Sequence, residues 1–288
     1  MEGVASPSST GSRRPGRRLM LLVTGFLLLL VLMPFLFWYD TWFGRKLTDA
    51  QIDRYVADYS KPRRQQHALV QIGERMSRHD PAVSRWYPQV VSLAASPVIE
   101  LRQTAAWIMG QDHTYDPFHQ ALRKLLADPV VMVRRNAALA LANFQDSAAS
   151  PELRAMLRPF TVVSPAAGVV RYRLKPGDFV NPNTLVARVG SIEVRSPVPG
   201  EVRSLSRKNE SSVSKGDPLL DVGAAPDHVW EALRALWSVG EQQDLDEVRR
   251  YARGVPGMPD RIRQQAELTV QRIEQRTASQ ETPGSPVR

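Results

Sequence analysis

The sequence predicts an α+β multidomain chain: a single N-terminal transmembrane helix, then an α-solenoid of helix pairs interrupted by a small all-β module. Three observations carry this expectation. An uncharged apolar run fills residues 19–39, a helical motif recurs on both sides of the middle of the chain, and a β-type motif recurs within it. At 288 residues the chain can bury more than one core.

Residues 1–18 are rich in Ser, Gly, Pro and Arg, too polar to bury a core, and are expected to be unstructured. Residues 19–39 read LMLLVTGFLLLLVLMPFLFWY, close to the roughly 20 apolar residues a helix needs to cross a bilayer. Phe35, Phe37, Trp38, Tyr39, Trp42 and Phe43 follow where an interfacial aromatic belt would lie. Arg13, Arg14, Arg17 and Arg18 precede the run, so the positive-inside bias puts the N-terminus in the cytoplasm. Bulky aromatics stand where a cleavage site would need small residues, which favours an uncleaved signal anchor. The localisation expected is a bacterial-type inner membrane, with residues 40–48 as a juxtamembrane linker and the main domains periplasmic.

Residues 49–161 and 224–276 carry the helical repeat. Ser96-Pro97-Val98-Ile99-Glu100-Leu101-Arg102 aligns with Asp128-Pro129-Val130-Val131-Met132-Val133-Arg134, each followed by paired alanines, Ala105-Ala106 and Ala137-Ala138. A capping residue and a proline suit a helix start. Val98, Leu101, Ala105 and Ile108, like Val133, Ala137, Leu141 and Phe144, then recur at helical spacing. A weaker copy runs from Pro62 through Ala68 to Gly73. Further on, Ala235-Leu236-Trp237-Ser238-Val239-Gly240 echoes Ala105-Ala106-Trp107-Ile108-Met109-Gly110, and Pro259-Asp260-Arg261-Ile262-Arg263 supplies another proline start. These residues resemble HEAT repeats, particularly the short bacterial type related to phycobilisome-lyase repeats.

Residues 162–223 repeat differently. Ser164-Pro165-Ala166-Ala167-Gly168-Val169-Val170 matches Ser196-Pro197-Val198-Pro199-Gly200-Glu201-Val202. Val170, Tyr172 and Leu174 alternate with Arg171, Arg173 and Lys175, the period of a half-buried strand. Lys175-Pro176-Gly177-Asp178 and Lys215-Gly216-Asp217 read as turns. The paired half-motifs resemble the biotinyl/lipoyl-type barrel-sandwich hybrid. The resemblance implies two β-halves interlocked about a pseudo-twofold axis, joined by a hairpin whose tip bears an attachment lysine in carrier members. Here the tip falls near Gly190 and Ser191 and has no lysine; Arg188 stays protonated and cannot substitute. No cofactor is therefore expected. Membrane fusion (periplasmic adaptor) proteins use the same fold, but with a long helical hairpin between the halves and a β-barrel after them. Leu185 and Ser196 are too close for such a hairpin. The tail at 277–288 is again expected to be unstructured.

The chain has no cysteine, which removes disulfides, thiolate metal sites and cysteine nucleophiles together. Its net charge of +9 is spread thinly after residue 18, with acids among the arginines, so nucleic-acid binding is not expected. No phosphate loop, nucleophile elbow or dinucleotide fingerprint is present, and no small-molecule substrate is evident. Among the five histidines, only His113 and His119 cluster tightly with acids, giving the set Asp112, His113, Asp116 and His119. They are the one metal candidate, against a bland reading in which Asp116 caps a helix opened by Pro117. Arg171, Arg173, Arg195 and Arg203 are candidates for a basic partner-binding face, against a bland reading as the outer side of half-buried strands.

The expectation is thus a membrane-anchored, non-catalytic scaffold or accessory subunit that binds other envelope or membrane-complex proteins. The alternatives are an atypical periplasmic adaptor of an efflux or secretion system, and a metal-dependent activity at the Asp112–His119 loop.

Overall fold

In the computed structural model the backbone is described for residues 17–41 and 45–281, and side chains for 21–35 and 45–279. The chain divides into two compact units, residues 1–48 and 49–288. In the first, α1 (Arg17–Thr41) contains Pro34. Its apolar side chains from Leu21 to Phe35 are exposed.

Among the described residues no helix is long and apolar enough to cross a membrane. This overturns the transmembrane helix at 19–39, and with it the signal anchor and the inner-membrane localisation. Thr24, Gly25 and Pro34 interrupt the apolar run within α1. The aromatic belt at Trp42 and Phe43, residues 1–16 and the final residues 282–288 lie outside the described residues.

The second unit begins with α2 (Asp49–Ala57), α3 (Pro62–Ser77) and α4 (Tyr87–Leu93), the last entered through a 3-10 turn. Then come α5 (Ile99–Met109), α6 (Asp116–Leu125), α7 (Val131–Asn143) and α8 (Ser150–Met156). Helices α3, α5 and α7 pack on one another in succession. The paired alanines permit it: Ala105, Ala106, Ala137 and Ala138 are all fully buried. At Gly110 a methyl group would meet Ala140 Cβ at 2.7 Å, so α5 and α7 need glycine to close.

Helices α5 and α7 each start two residues beyond the proline of their motif, Pro97 and Pro129. Ser96 and Asp128 do not cap the helix itself; their side chains accept from the N–H of Val98 (3.2 Å) and Val130 (2.8 Å), closing a turn ahead of it. Asp128 then receives Arg102 from the preceding repeat, Nε at 2.7 Å and a terminal nitrogen at 3.1 Å. Asn136 Nδ2 donates to Gln103 O (3.1 Å) and Asn143 Nδ2 to Gly110 O (2.9 Å), so carboxamides of α7 satisfy carbonyls of α5.

The β-module interrupts this stack. Its first four strands are β1 (Phe160–Val163), β2 (Gly168–Tyr172), β3 (Phe179–Val180) and β4 (Leu185–Val189). The second four are β5 (Ile192–Arg195), β6 (Gly200–Leu205), β7 (Ser212–Val213) and β8 (Pro218–Val222). They form two four-stranded antiparallel sheets, ordered β1-β8-β6-β3 and β5-β4-β2-β7. Exchanging each strand for its counterpart in the other half converts one order into the other. The halves are therefore interlocked, each lending two strands to each sheet. Equivalent hydrogen bonds repeat this relation: Gly190 N donates to Val169 O (3.0 Å), and Gly223 N to Glu201 O (2.8 Å). Ser164 Oγ and Ser196 Oγ, both buried, donate to Ala166 O (2.7 Å) and Val198 O (2.6 Å). The core between the sheets is mainly valine, including Val170, Val186, Val202 and Val222, as suits residues on pleated surfaces.

Beyond the module, α9 (Pro226–Val239) packs on α7 and α8, and α11 (Asp260–Glu281) packs on α9 and on α10 (Leu245–Ala252). The helical stack thus resumes where it broke off. Phe160 in the first strand pairs with Val222 in the last, so the inserted module begins and ends at one place. Arg154 of α8 meets the fully buried Asp244 at 3.1 Å, Arg158 meets Glu247 at 2.6 Å, and Tyr251 OH donates to Leu157 O at 2.7 Å. Val131 of α7 packs against the β-core, so the module sits on the stack. Helix α11 runs past the boundary drawn at 276, as far as Glu281.

Candidate functional site

Four apolar side chains hold one repeat position on alternate helices. The helical motif aligns Trp107 of α5 with Leu139 of α7, Trp237 of α9 and Leu268 of α11. Neighbouring positions inside the same helices are buried, yet Trp107, Trp237 and Leu268 are 50%, 43% and 54% exposed. Trp107 lies over Gly73 of α3, where a methyl group would meet its ring at 2.7 Å. Arg272 places its guanidinium 5.1 Å from the Trp237 ring centre, a stacking that leaves the charge in water.

These residues line a groove of about 820 Å³ with Asn143, Glu231, Arg234 and Gln265. It continues toward α3 as a second hollow of about 520 Å³, which shares Trp107, Leu139, Asn143 and Glu231 and ends at His79 and Gln111. Among the described residues, neither the Trp107 nor the Trp237 indole N–H has an acceptor. Partial loss of solvent raises the Glu231 pKa above the ordinary value; Asp227 adds to this and Arg234 opposes it. A half-exposed tryptophan is costly to leave in water, and two at matching positions form an apolar patch of the kind that binds proteins. Sequence reasoning missed this surface. The signal was the shared Ala-x-Trp-x-x-Gly of α5 and α9, which marks the repeat without saying that the tryptophan faces outward.

The fold does not gather the candidate metal residues into one site. Asp112 accepts from Tyr87 OH (2.7 Å) and from Thr114 N and Oγ1 (2.9 and 2.6 Å). Asp116 opens α6 and accepts from Gln120 Nε2 at 2.5 Å. His119 instead reaches Asp146 in the next repeat (2.7 Å), stacked on Phe144 at 5.2 Å, while His113 lies edge-on to Phe144 at 6.5 Å. Burial pushes the Asp146 carboxyl upward, but the Ala148 N–H, His119 and Arg123 outweigh it and hold its pKa low. These are contacts that fasten loops. No group of three or more metal-ligating side chains is found among the described residues.

Nor do the candidate arginines form one basic face. Arg171 and Arg195 lie on the sheet containing β2 and β5, Arg203 on the other sheet, and Arg173 just beyond β2. Glu193 holds Arg188 (2.8 Å) and Arg195 (2.6 Å), and Arg171 faces Glu210 at 3.8 Å. Arg203 lies against Gly223, its Nε 2.5 Å from where a methyl would sit. Between β4 and β5 the chain reverses through Gly190 and Ser191 alone, with Gly190 at φ +60°, a tight hairpin that glycine favours. That two-residue turn leaves no room for an adaptor-type helical hairpin.

A family model for HEAT repeats matches residues 87–167, from α4 to the start of the β-module. No curated protein matches the chain. HEAT repeats generally mediate protein–protein interaction, and the groove lies partly on the matched helices.

Proposed function

We propose that this protein is a non-catalytic scaffold that docks other proteins in the groove along α5, α7, α9 and α11. The observation that carries the reading is the row of exposed Trp107, Trp237 and Leu268 at one repeat position, in a helical stack that continues across the inserted module. A solenoid presents such positions as an extended array, suited to holding a chain rather than a small substrate. The β-module is read as a biotinyl/lipoyl-type barrel-sandwich hybrid. Its interlocked halves and two-residue hairpin support that reading. With Gly190 and Ser191 at its tip and no lysine there, it would act as a rigid body fixed to the stack. The non-catalytic reading is supported by the engagement of Asp112, Asp116 and His119 in loop contacts.

The test is quantitative co-purification from native cells with the full chain and with Trp107→Ala/Trp237→Ala. The proposal predicts a defined set of proteins held by the wild type and lost from the double variant, with unchanged circular dichroism. A partner set indifferent to both tryptophans would refute the groove as docking surface.

A further inference from the structure

The groove also constrains the shape of what it holds, and this step rests on the docking reading above. Adjacent packed helices lie about 8–10 Å apart, so Trp107, Leu139, Trp237 and Leu268 form a ladder with rungs at about that spacing. A polyproline-type segment has three residues per turn and rises about 3.1 Å per residue, so one of its faces repeats every ~9 Å. A β-strand repeats its face at about 6.6 Å, out of step with the ladder. An α-helix can match at every seventh residue, but it satisfies its own backbone groups.

The lining is built for the opposite case. The indole N–H of Trp107 and of Trp237 have no acceptor among the described residues. Asn143 spends one amide hydrogen on Gly110 O, which fixes its carboxamide at the groove. Such groups fit a segment whose backbone carbonyls are free, as they are in polyproline geometry. Charge adds a position. Glu231 lines both hollows and has no ion-pair partner among the described residues, while Arg234 lies toward α11. A basic side chain seated between Trp107 and Glu231 would gain both a ring face and a carboxylate. Arg234 would be left to donate to the carbonyls that follow.

We infer that the groove binds an extended, polyproline-type segment of a partner protein, with apolar residues on a three-residue period and a Lys or Arg on Glu231. The test is selection of a phage-displayed random dodecapeptide library on the full chain, counter-selected on Trp107→Ala/Trp237→Ala, with Leu268→Arg as a second groove variant. Selected peptides are then titrated against wild type and Glu231→Gln. The expected result is a proline-containing consensus with apolar residues three apart and a basic residue, binding about tenfold weaker to Glu231→Gln. Tryptophan-dependent peptides with an amphipathic-helix or acidic consensus, or indifferent to Glu231→Gln, would overturn this inference and leave the docking reading standing. No peptide dependent on either groove variant would overturn both.

Discussion

Consider removal of the Asp128 carboxylate. It joins one repeat to the next: Arg102 of α5 grips it with two nitrogens, at 2.7 and 3.1 Å, and the Val130 N–H adds a third bond at 2.8 Å. The side chains of Arg102 and Asp128 are only 13% and 6% exposed. Burial pushes the Asp128 pKa up, but the Arg102 and Val130 hydrogen bonds and the charges of Arg102 and Arg134 outweigh it, leaving the pKa below the ordinary carboxylate value. Truncation strands the guanidinium of Arg102, which keeps only the carbonyls of Ser96 and Pro97. Breaking a buried pair from one side costs about 3–5 kcal/mol. Asp128→Ala is therefore expected to lose about 3 kcal/mol or more in urea unfolding, read by far-UV circular dichroism and tryptophan fluorescence. Arg102→Met in the same chain should recover part of that loss, a coupling of at least about 1 kcal/mol. The pH sign follows from the lowered pKa. The carboxylate's contribution is fully present above the unfolded value of 3.8 and is lost as pH falls through the lower folded value. A cost under about 1 kcal/mol, or strictly additive single variants, would refute the idea that this pair locks repeat to repeat.

Other consequences can be checked the same way. Gly110→Ala should cost about 1–3 kcal/mol, because its new methyl meets both Cβ (2.7 Å) and Cα (2.9 Å) of Ala140, and backbone cannot swing aside; urea midpoints would show it. Burial, and then the charge of Arg135, lower the His228 pKa below 6.5, with Asp227 opposing. Folding stability should thus be unaffected by His228 above pH 6.5 and should fall as pH drops from there toward the lowered value, by no more than about 1.4 kcal/mol per pH unit. His228→Asn should flatten that slope in a melting series, and an unchanged slope would assign it elsewhere. Tyr172→Phe removes the hydroxyl that donates to Leu219 O at 2.8 Å within the β-module. A loss of about 1 kcal/mol is expected, measured by hydrogen exchange at β8.

Much of the fold was legible because its periods are covalent. The Asp128-Pro129 and Ser96-Pro97 starts, with alanines a fixed distance on, specify close-packed helices. The paired Ser-Pro-x-x-Gly segments gave away the doubled β-module, and Val170 against Arg171 its inward and outward faces. The membrane span was misread, and the directions taken by two sets of candidate side chains could not be read, for separate physical reasons. An apolar run such as 19–39 states hydropathy only, and the described part of α1 does not meet the requirements of a membrane span. Sequence proximity of Asp112, His113, Asp116 and His119 says nothing of direction: one turn of α6 sends His119 to Asp146 in the next repeat. The arginines alternate along the strands as read, but the interlocking of the halves sends Arg203 to a different sheet from Arg171. The groove was hidden in the same way, since Trp107 and Trp237 lie far apart in the chain and come together only because the helical stack resumes after the insertion.

The central claim is that this resumed stack presents one docking groove, and site-specific photocrosslinking tests it most directly. A photoreactive residue would replace Trp107, Trp237 or Leu268 in turn, with Phe179 of β3, 59% exposed on the β-module, as the control position. The account predicts the same crosslinked partner from all three groove positions and not from Phe179. Crosslinks to unrelated proteins from each position, or an equal yield from Phe179, would contradict it.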